Sequence, residues 1–171
     1  IPLPQQVKWT NNCFPLYRTK DIVVSDSRLQ KEAIVLQTYL QTKGLPLRIV
    51  GKASSEQASI HLVLADHSTI INKEEGYTLT VTANNITITA PAPHGVFNGV
   101  QTLRQLMRDG VLVDGCEITD WPAFAMRGYM IDVGRNYLSI PYLKEQIDVM
   151  AKSKMNVFHF HPTEDIAWRF E

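Results

Sequence analysis

The last third of the chain, residues 127–171, constrains the fold most because it has the pattern of one strand–helix–strand unit. Residues 128–133 form a short apolar run with one acid, which is typical of a strand covered on both faces. Ser139 can cap a following helix, whose first turn contains Pro141 and whose apolar residues recur at intervals of three and four. Residues 155–161 form a second apolar run that ends at a proline. Two strands joined by a helix of this length are predicted to be parallel, with a right-handed connection.

Polar side chains follow the ends of both predicted strands. Arg135 follows the first strand, and His161, Glu164 and Asp165 lie at and beyond the end of the second. The carboxyl ends of parallel strands meet at one edge of a sheet, where binding sites collect. An arginine and two carboxylates at one such edge are what a pocket for a polar ligand requires. Spacing alone also allows a simpler interpretation, in which Arg135 pairs with a local carboxylate and the two acids lie in a solvated loop.

The composition limits the classes of partner. A chain of 171 residues can form one domain or slightly more, with enough apolar content for a core. Its 17 basic and 17 acidic residues balance, without a long run of either sign, which argues against a nucleic acid or an anionic membrane surface as the main partner. No stretch approaches the ~18 consecutive apolar residues of a membrane span. Cys13 and Cys116 form one distant pair, so two free, buried thiols are predicted rather than a disulfide framework.

The first two thirds of the sequence predict a separate α+β domain with a mainly antiparallel sheet and helices on one face. Alternation of apolar and threonine residues predicts a hairpin over residues 77–89, and apolar residues at helical spacing predict a helix over about residues 95–107. Gly99 lies inside that helix, where glycine costs ~1 kcal/mol relative to alanine, so we expect a neighbouring element to approach it closely. The Asp-Gly pair at residues 114–115 predicts a turn, and the domain is expected to end at Cys116. The other predicted elements are an edge strand near Val7, strands at residues 21–24, 47–50 and 59–64, and a helix containing residues 29–40.

Two motifs in the last third resemble the opening of the catalytic barrel of family 20 glycoside hydrolases, the β-N-acetylhexosaminidases. That family has a D-x-x-R pattern after its first barrel strand, which residues 132–136 match as DVGRN. At its second strand it has H-x-H-x-x-D-D-x-x-W-R, which residues 159–169 match as HFHPTEDIAWR, with glutamate in place of the first aspartate. Further resemblances to the accessory domain that precedes the barrel, and to the D-x-P-x-F-x-x-R-G joint, fall at residues 75–77, 95–106 and 120–128.

The resemblance implies a domain organisation and an activity. Residues 1–116 would be the accessory domain, and residues 117–171 the joint and the start of a (β/α)8 TIM barrel, about two strands and one helix. The complete enzyme would release terminal N-acetylhexosamine from glycans with retention, using the acetamido oxygen of the substrate as nucleophile. In the family, a glutamic acid serves as general acid/base and an adjacent aspartate orients the acetamide, both on the fourth barrel strand. The sequence contains no Asp-Glu dipeptide, so it offers no catalytic residue and the 171 residues alone are expected to be inactive.

The resemblance also assigns roles to individual residues. Arg135 would bind hydroxyls of the terminal sugar, because a guanidinium can donate two parallel hydrogen bonds. Glu164 stands where the family has an aspartate that orients a downstream histidine, and its extra methylene would displace the carboxylate by about 1 Å or more. Supporting roles are expected for His159, His161 and Asp165, and the family pattern is also matched by Trp168 and Arg169.

No metal or other cofactor is implied by the family. The resemblance implies a secreted, periplasmic or cell-surface protein, and a chain that starts at Ile1 without methionine suggests that a preceding segment has been removed.

A non-catalytic carbohydrate-binding or interaction module is the alternative function. In residues 1–171 alone, the two barrel strands would pair only with each other, which leaves open edges and exposes Val157, Phe158 and Phe160. Such edges and patches recruit partners. Residues from about Asp120 onward are therefore expected to be disordered or to be ordered by pairing with a second copy.

Overall fold

The computed structural model describes residues 2–52, 58–65, 70–107, 112–165 and 167–168. It divides into two compact units, Leu3–Pro122 and Ala123–Glu171. The domain boundary predicted at Cys116 is corrected to the end of Pro122, because the strand that contains Cys116 continues through Asp120 and remains paired in the sheet of the first unit. No helix in the described part of the chain is long and apolar enough to cross a membrane.

The first unit is built on a seven-stranded sheet with the strand order β1-β7-β5-β6-β4-β2-β3. The strands are β1 (Gln6–Pro15), β2 (Asp21–Val24), β3 (Arg48–Val50), β4 (Ser59–Leu64), β5 (Tyr77–Val81), β6 (Asn85–Ala90) and β7 (Leu112–Asp120). The predicted α+β class is confirmed. The sheet is mixed rather than mainly antiparallel, because β2 pairs in parallel with β3 and β4, and β4 with β6, while the other three pairings are antiparallel.

Two helices, α1 (Gln30–Thr42) and α2 (Pro93–Leu106), contact each other and the same face of this sheet, as predicted. The side chain of Asp26 accepts a hydrogen bond from the backbone N–H of Arg28, which caps a 3-10 turn leading into α1. Gly44 follows α1 with a φ of +77°, a left-handed conformation that favours glycine. The core between helices and sheet is fully buried and includes Leu36, Leu40, Ile60, Leu79, Ile88, Val96 and Leu103.

A buried tyrosine joins α2 to the sheet beside Gly99. The hydroxyl of Tyr77 donates a 2.8 Å hydrogen bond to Asp120 and lies 2.6 Å from the hydroxyl of Thr102. Burial, followed by the charge of Asp120, raises the pKa of Tyr77 well above its ordinary value, so the hydroxyl keeps its proton. A Cβ at Gly99 would lie 2.4 Å from Ile88 and 3.1 Å from the Tyr77 ring. The close approach predicted for this glycine is therefore confirmed.

The strand β7 was missed because Asp114-Gly115 has the pattern of a turn. In the structure Gly115 lies within β7, opposite a bulge of β1 between Trp9 and Cys13. A Cβ at Gly115 would lie 2.3 Å from the hydroxyl of Thr10, so glycine is needed for the close approach of the bulge. Cys13 and Cys116 are free thiols, as predicted; Cys116 is buried as expected, whereas Cys13 is only partly buried.

The second unit contains the predicted strand–helix–strand arrangement: β8 (Gly128–Asp132), α3 (Ile140–Lys152) and β9 (Val157–His161). The strands are parallel, as predicted, and their register runs from Gly128 opposite Val157 to Asp132 opposite His161. The hydroxyl of Ser139 accepts a hydrogen bond from the backbone N–H of Tyr142, which confirms the predicted cap of α3. Two short strands, β10 (Thr163–Glu164) and β11 (Ala167–Trp168), form an antiparallel pair after β9.

Apolar side chains are exposed along this two-stranded sheet. Val157 and Phe160 are exposed, whereas Phe158 is half-buried, with its ring 5.9 Å from that of Phe160 and 6.5 Å from that of Tyr129. The expected exposure is therefore confirmed for two of the three residues, and stacking accounts for the third.

The close packing at Gly99 generates a stability prediction. We expect Gly99→Ala to destabilise the first unit by about 1–3 kcal/mol, because overpacking against Ile88 and Tyr77 outweighs the ~1 kcal/mol that alanine gains in a helix. Gly51→Ala is the matched control, since no atom of the described residues lies within 4 Å of its added Cβ. Urea unfolding of residues 1–122 measures both variants. An unchanged or higher free energy of unfolding for Gly99→Ala would contradict the packing argument.

Candidate functional site

The candidate site lies at the carboxyl ends of β8 and β9. Asp132 ends β8 and lies opposite His161, which ends β9. The backbone N–H groups of Val133 and Gly134 both approach the main-chain oxygen of His161, at 3.0 and 3.4 Å. The chain leaving β8 is thereby held against the end of β9, so residues from both strand ends are brought together.

Arg135 connects the two strand ends through two carboxylates. Its backbone N–H donates a 3.0 Å hydrogen bond to Oδ1 of Asp132. Its Nε donates a 3.1 Å hydrogen bond to Oε1 of Glu164, and its Nη2 lies 3.0 Å from the same oxygen. Nε also lies 3.3 Å from Oδ2 of Asp132. The pairing of Arg135 with a local carboxylate, which the simpler interpretation of the sequence predicted, is therefore present.

His161 lies beside the same two carboxylates. Its Nδ1 is 3.5 Å from Oδ1 of Asp132 and 3.9 Å from Oε1 of Glu164. This nitrogen is buried and has no hydrogen-bond partner in the part of the chain that the structure describes. At these distances the imidazole lies beside both carboxylates, where it helps to lower the pKa of Asp132.

The surroundings of Asp132 lower the pKa of its carboxyl group. The hydrogen bond from the Arg135 backbone N–H is the largest cause; partial burial opposes it, and His161 and the Arg135 side chain lower the pKa further. Because the pKa in the folded protein lies below its unfolded value, ionised Asp132 favours the folded state above that unfolded value. This contribution is lost as the pH falls through the lowered pKa. Because neutral pH lies above that pKa, the Asp132 carboxylate is ionised there.

The guanidinium of Arg135 keeps hydrogen-bonding capacity for a ligand. Its side chain is 69% exposed although it pairs with two acids. An arginine carries five N–H donors, and Nη1 forms no hydrogen bond or ion pair with any described residue. The guanidinium is already compensated by two carboxylates, which favours a neutral polar ligand over an anion.

The same residues have the composition of a metal site. Ligand atoms of Asp132, His161 and Glu164 all lie within 4.8 Å of one another. Both carboxylates, however, already pair with the cationic Arg135, which would repel a metal ion and compete with it for their oxygens. The cluster therefore fits a hydrogen-bonding site better than a metal centre.

The structure does not bring every predicted residue into this cluster. His159 is exposed, with its ring 6.5 Å from that of His161, and Asp165 is exposed beyond β10. Trp168 lies in β11 opposite Thr163, and Arg169 lies outside the described residues. The roles expected for these residues stay predictions.

Two contributors to the cluster were not among the predicted site residues. In the sequence, Asp132 was recognised only as the first residue of the D-x-x-R motif and was given no role, although it contacts both Arg135 and His161. Gly134 is buried, and a Cβ there would lie 3.0 Å from Cγ of Glu164. The spacing of three between Asp132 and Arg135 was the available signal for the first; nothing in the sequence indicated the second.

Comparison with known proteins identifies the family. Residues 1–121 match the family described as glycosyl hydrolase family 20, domain 2, and residues 124–171 match the glycosyl hydrolase family 20 catalytic domain. A β-hexosaminidase from Porphyromonas gingivalis is 38% identical over 183 residues, covering 100% of this chain and 23% of that protein. A β-N-acetylhexosaminidase from Cellulomonas fimi is 31% identical over 176 residues, covering 99% of this chain and 35% of that protein.

Solved structures agree with this assignment. The exo-β-N-acetylglucosaminidase of family 20 from Vibrio harveyi, in complex with N-acetylglucosamine, superposes with a TM-score of 0.86 at 27% identity, covering 99% of this chain and 26% of that one. The N-acetyl-β-hexosaminidase from Streptomyces plicatus superposes with a TM-score of 0.81 at 31% identity, covering 96% and 34%. The chain thus spans between 23% and 35% of the length of these relatives. With matches to both of its domains over nearly all of its length, the chain belongs to glycosyl hydrolase family 20.

Proposed function

We propose that these 171 residues belong to a retaining β-N-acetylhexosaminidase that releases terminal N-acetylhexosamine from glycans. The observation that carries the proposal is the position of Arg135, whose guanidinium is held by Glu164 and Asp132 at the carboxyl ends of two parallel strands. The relatives named β-hexosaminidase and β-N-acetylhexosaminidase support the substrate class. The reaction is substrate-assisted, with the acetamido oxygen of the sugar attacking the anomeric carbon.

In this proposal Arg135 binds neighbouring hydroxyls of the terminal sugar. The unused N–H groups of a guanidinium lie in one plane and can donate to two adjacent oxygens at once. Asp132 and Glu164 restrict the rotamers of the arginine, so less side-chain entropy is lost when the sugar binds. Glu164 takes the place of the family aspartate, and His161 and Asp132 support it from β9 and β8.

The chemical step needs groups outside this cluster. The proposed general acid/base is a glutamic acid and the proposed acetamide-orienting residue an aspartate, adjacent to each other in the family. The sequence of 171 residues has no Asp-Glu dipeptide. Residues 1–171 by themselves are therefore proposed to hold the hydroxyl-binding part of the pocket without the catalytic pair.

A second proposal concerns residues 1–171 in isolation. Tyr129, Met130, Val157 and Phe160 are exposed on the two-stranded sheet of β8 and β9. Unpaired strand edges beside apolar surface favour association. We propose that the isolated polypeptide self-associates through this unit, and an interaction module remains the alternative function.

The first prediction is that residues 1–171 alone do not hydrolyse an aryl N-acetylglucosaminide. General acid–base catalysis contributes typically ~10²–10⁴-fold, and the proposed pair is absent from this stretch. Release of the aryl group from the pure polypeptide is measured beside the full-length protein. Turnover of the isolated polypeptide at rates typical of an enzyme would contradict the prediction, whereas an inactive full-length protein would contradict the proposed function.

The second prediction concerns the pocket of the full-length protein. Arg135→Lys keeps the charge but loses the planar fork, so kcat/KM should fall by roughly 10–100-fold, the effect of one or two lost charge-assisted hydrogen bonds. Arg28→Lys is the matched control, because Arg28 pairs with Asp26 on the surface of the first unit. Glu164→Asp restores the family residue and should leave kcat/KM equal or higher, whereas Glu164→Gln should lower it. An unchanged kcat/KM for Arg135→Lys would show that Arg135 does not contact the substrate.

The third prediction tests self-association. Light scattering should give a mass above that of the monomer for residues 1–171 and a monomeric mass for residues 1–122, which lack β8, α3 and β9. The truncated chain is the matched control, since it keeps the complete seven-stranded sheet. A monodisperse monomer for residues 1–171 would refute the proposal.

A further inference from the structure

Two side chains form hydrogen bonds between the segment that leads into β8 and the segment that leads into β9. They lie at the opposite end of these strands from the candidate site. The side chain of Asn156 accepts a 2.9 Å hydrogen bond from the backbone N–H of Arg127 and donates a 2.8 Å hydrogen bond to the main-chain oxygen of Ala125. The guanidinium of Arg127 donates two further hydrogen bonds. Nε donates to the main-chain oxygen of Lys154 at 2.8 Å, and Nη1 donates to the main-chain oxygen of Phe124 at 2.7 Å. We call these four bonds the Arg127–Asn156 clamp.

Main-chain bonds continue the clamp into the sheet. The backbone N–H groups of Asn156 and Val157 both approach the oxygen of Arg127, at 3.0 and 3.3 Å. Lys154 precedes them with a φ of 56°, a left-handed conformation that is uncommon for a residue other than glycine. The Arg127 guanidinium bonds the carbonyl of this residue, so it holds the turn from α3 into β9 in its less favoured conformation.

The register of β8 against β9 needs such a device. Parallel strands are joined by a crossover rather than a tight turn, so no hairpin geometry sets their alignment. Apolar side chains lie on both faces of the strand pair, Met130 and Val157 on one face and Ile131 and Phe160 on the other, so apolar alternation specifies the register weakly. A slip of one residue would turn every side chain of one strand to the opposite face and separate Asp132 from His161.

We propose that Arg127 and Asn156 are positioning residues for the candidate site: their clamp sets the β8–β9 register that places Asp132 beside His161 and Arg135 beside Glu164. Both residues precede the strands, and the cluster lies at the other end. The paired register runs from Gly128 and Val157 over four residues to Asp132 and His161, so the clamp acts on the cluster through the two strands. The consequence for catalysis rests on the proposed function, whereas the consequence for the register does not.

The experiment uses the full-length protein with two readouts. The first is kcat/KM for an aryl N-acetylhexosaminide. The second is hydrogen exchange of the Val133 and Gly134 amides, which donate to the His161 oxygen at the site end of the strands. The variants are Asn156→Ala, which removes both side-chain bonds, and Asn156→Asp, which keeps the acceptor for the Arg127 N–H. Met150→Ala is the control, because Met150 is buried near this end of α3 and its side chain takes no part in the clamp.

For Asn156→Ala we expect kcat/KM to fall at least tenfold, since misplacements of about 1 Å at a reacting centre can cost ~10²-fold. Exchange at Val133 and Gly134 should accelerate at least tenfold, while exchange in the seven-stranded sheet stays unchanged. Asn156→Asp should fall between Asn156→Ala and the natural protein, and Met150→Ala should keep both readouts within about threefold despite a lower melting temperature.

Three results separate the possibilities. Unchanged exchange at Val133 and Gly134 in Asn156→Ala would overturn the positioning role. Equal losses in Met150→Ala would overturn it as well, because any loosening of this end would then have the same effect. If the natural full-length protein does not hydrolyse the substrate, the proposed function fails, and the exchange readout alone still decides whether the clamp sets the register.

Discussion

The parallel pairing of β8 with β9 is the constraint on which the candidate site depends. The pairing puts Asp132 and His161 at the same level of the sheet, and the turn after β8 then carries Arg135 back to Asp132. Glu164 follows three residues after β9 ends, so it reaches the same guanidinium from the other strand. Each of these residues lies within three residues of the end of β8 or β9, so the pairing of the two strands is enough to bring them together.

The charges of the cluster determine which ligands it can accept. Asp132 binds Arg135 twice, through the backbone N–H and through the guanidinium, and this makes the turn and the side-chain rotamer depend on one carboxylate. Glu164 supplies a second negative charge. A guanidinium compensated by two acids gains little from a further anion but can still donate hydrogen bonds, which suits neutral hydroxyl groups. The alternative of a phosphate or carboxylate ligand would require an arginine with fewer acidic partners.

The sequence predicted the elements whose signals are local and missed those that depend on pairing. The Ser139 cap, the helices and the hairpin follow from side-chain chemistry within a few residues, and all are present. Strand β7 was missed because Asp114-Gly115 has the same letters as a turn, while the bulge that requires the glycine lies on β1, about a hundred residues away in sequence. The mixed sheet could not be predicted either, since periodicity specifies strands but not their neighbours.

Glu164, at a position where the resemblance to the family implies an aspartate, packs directly against Gly134. A Cβ on Gly134 would lie 3.0 Å from Cγ and 3.2 Å from Cβ of Glu164, so the glutamate stem lies directly against the glycine backbone. The space beside Gly134 accommodates the added methylene, and the carboxylate still meets Nη2 of Arg135 at 3.0 Å. Any side chain at this position would push the Glu164 stem away and move the carboxylate from the arginine. Gly134 is therefore required for the position of Glu164, because a Cβ at residue 134 would also meet the main-chain N of Glu164 at 3.2 Å.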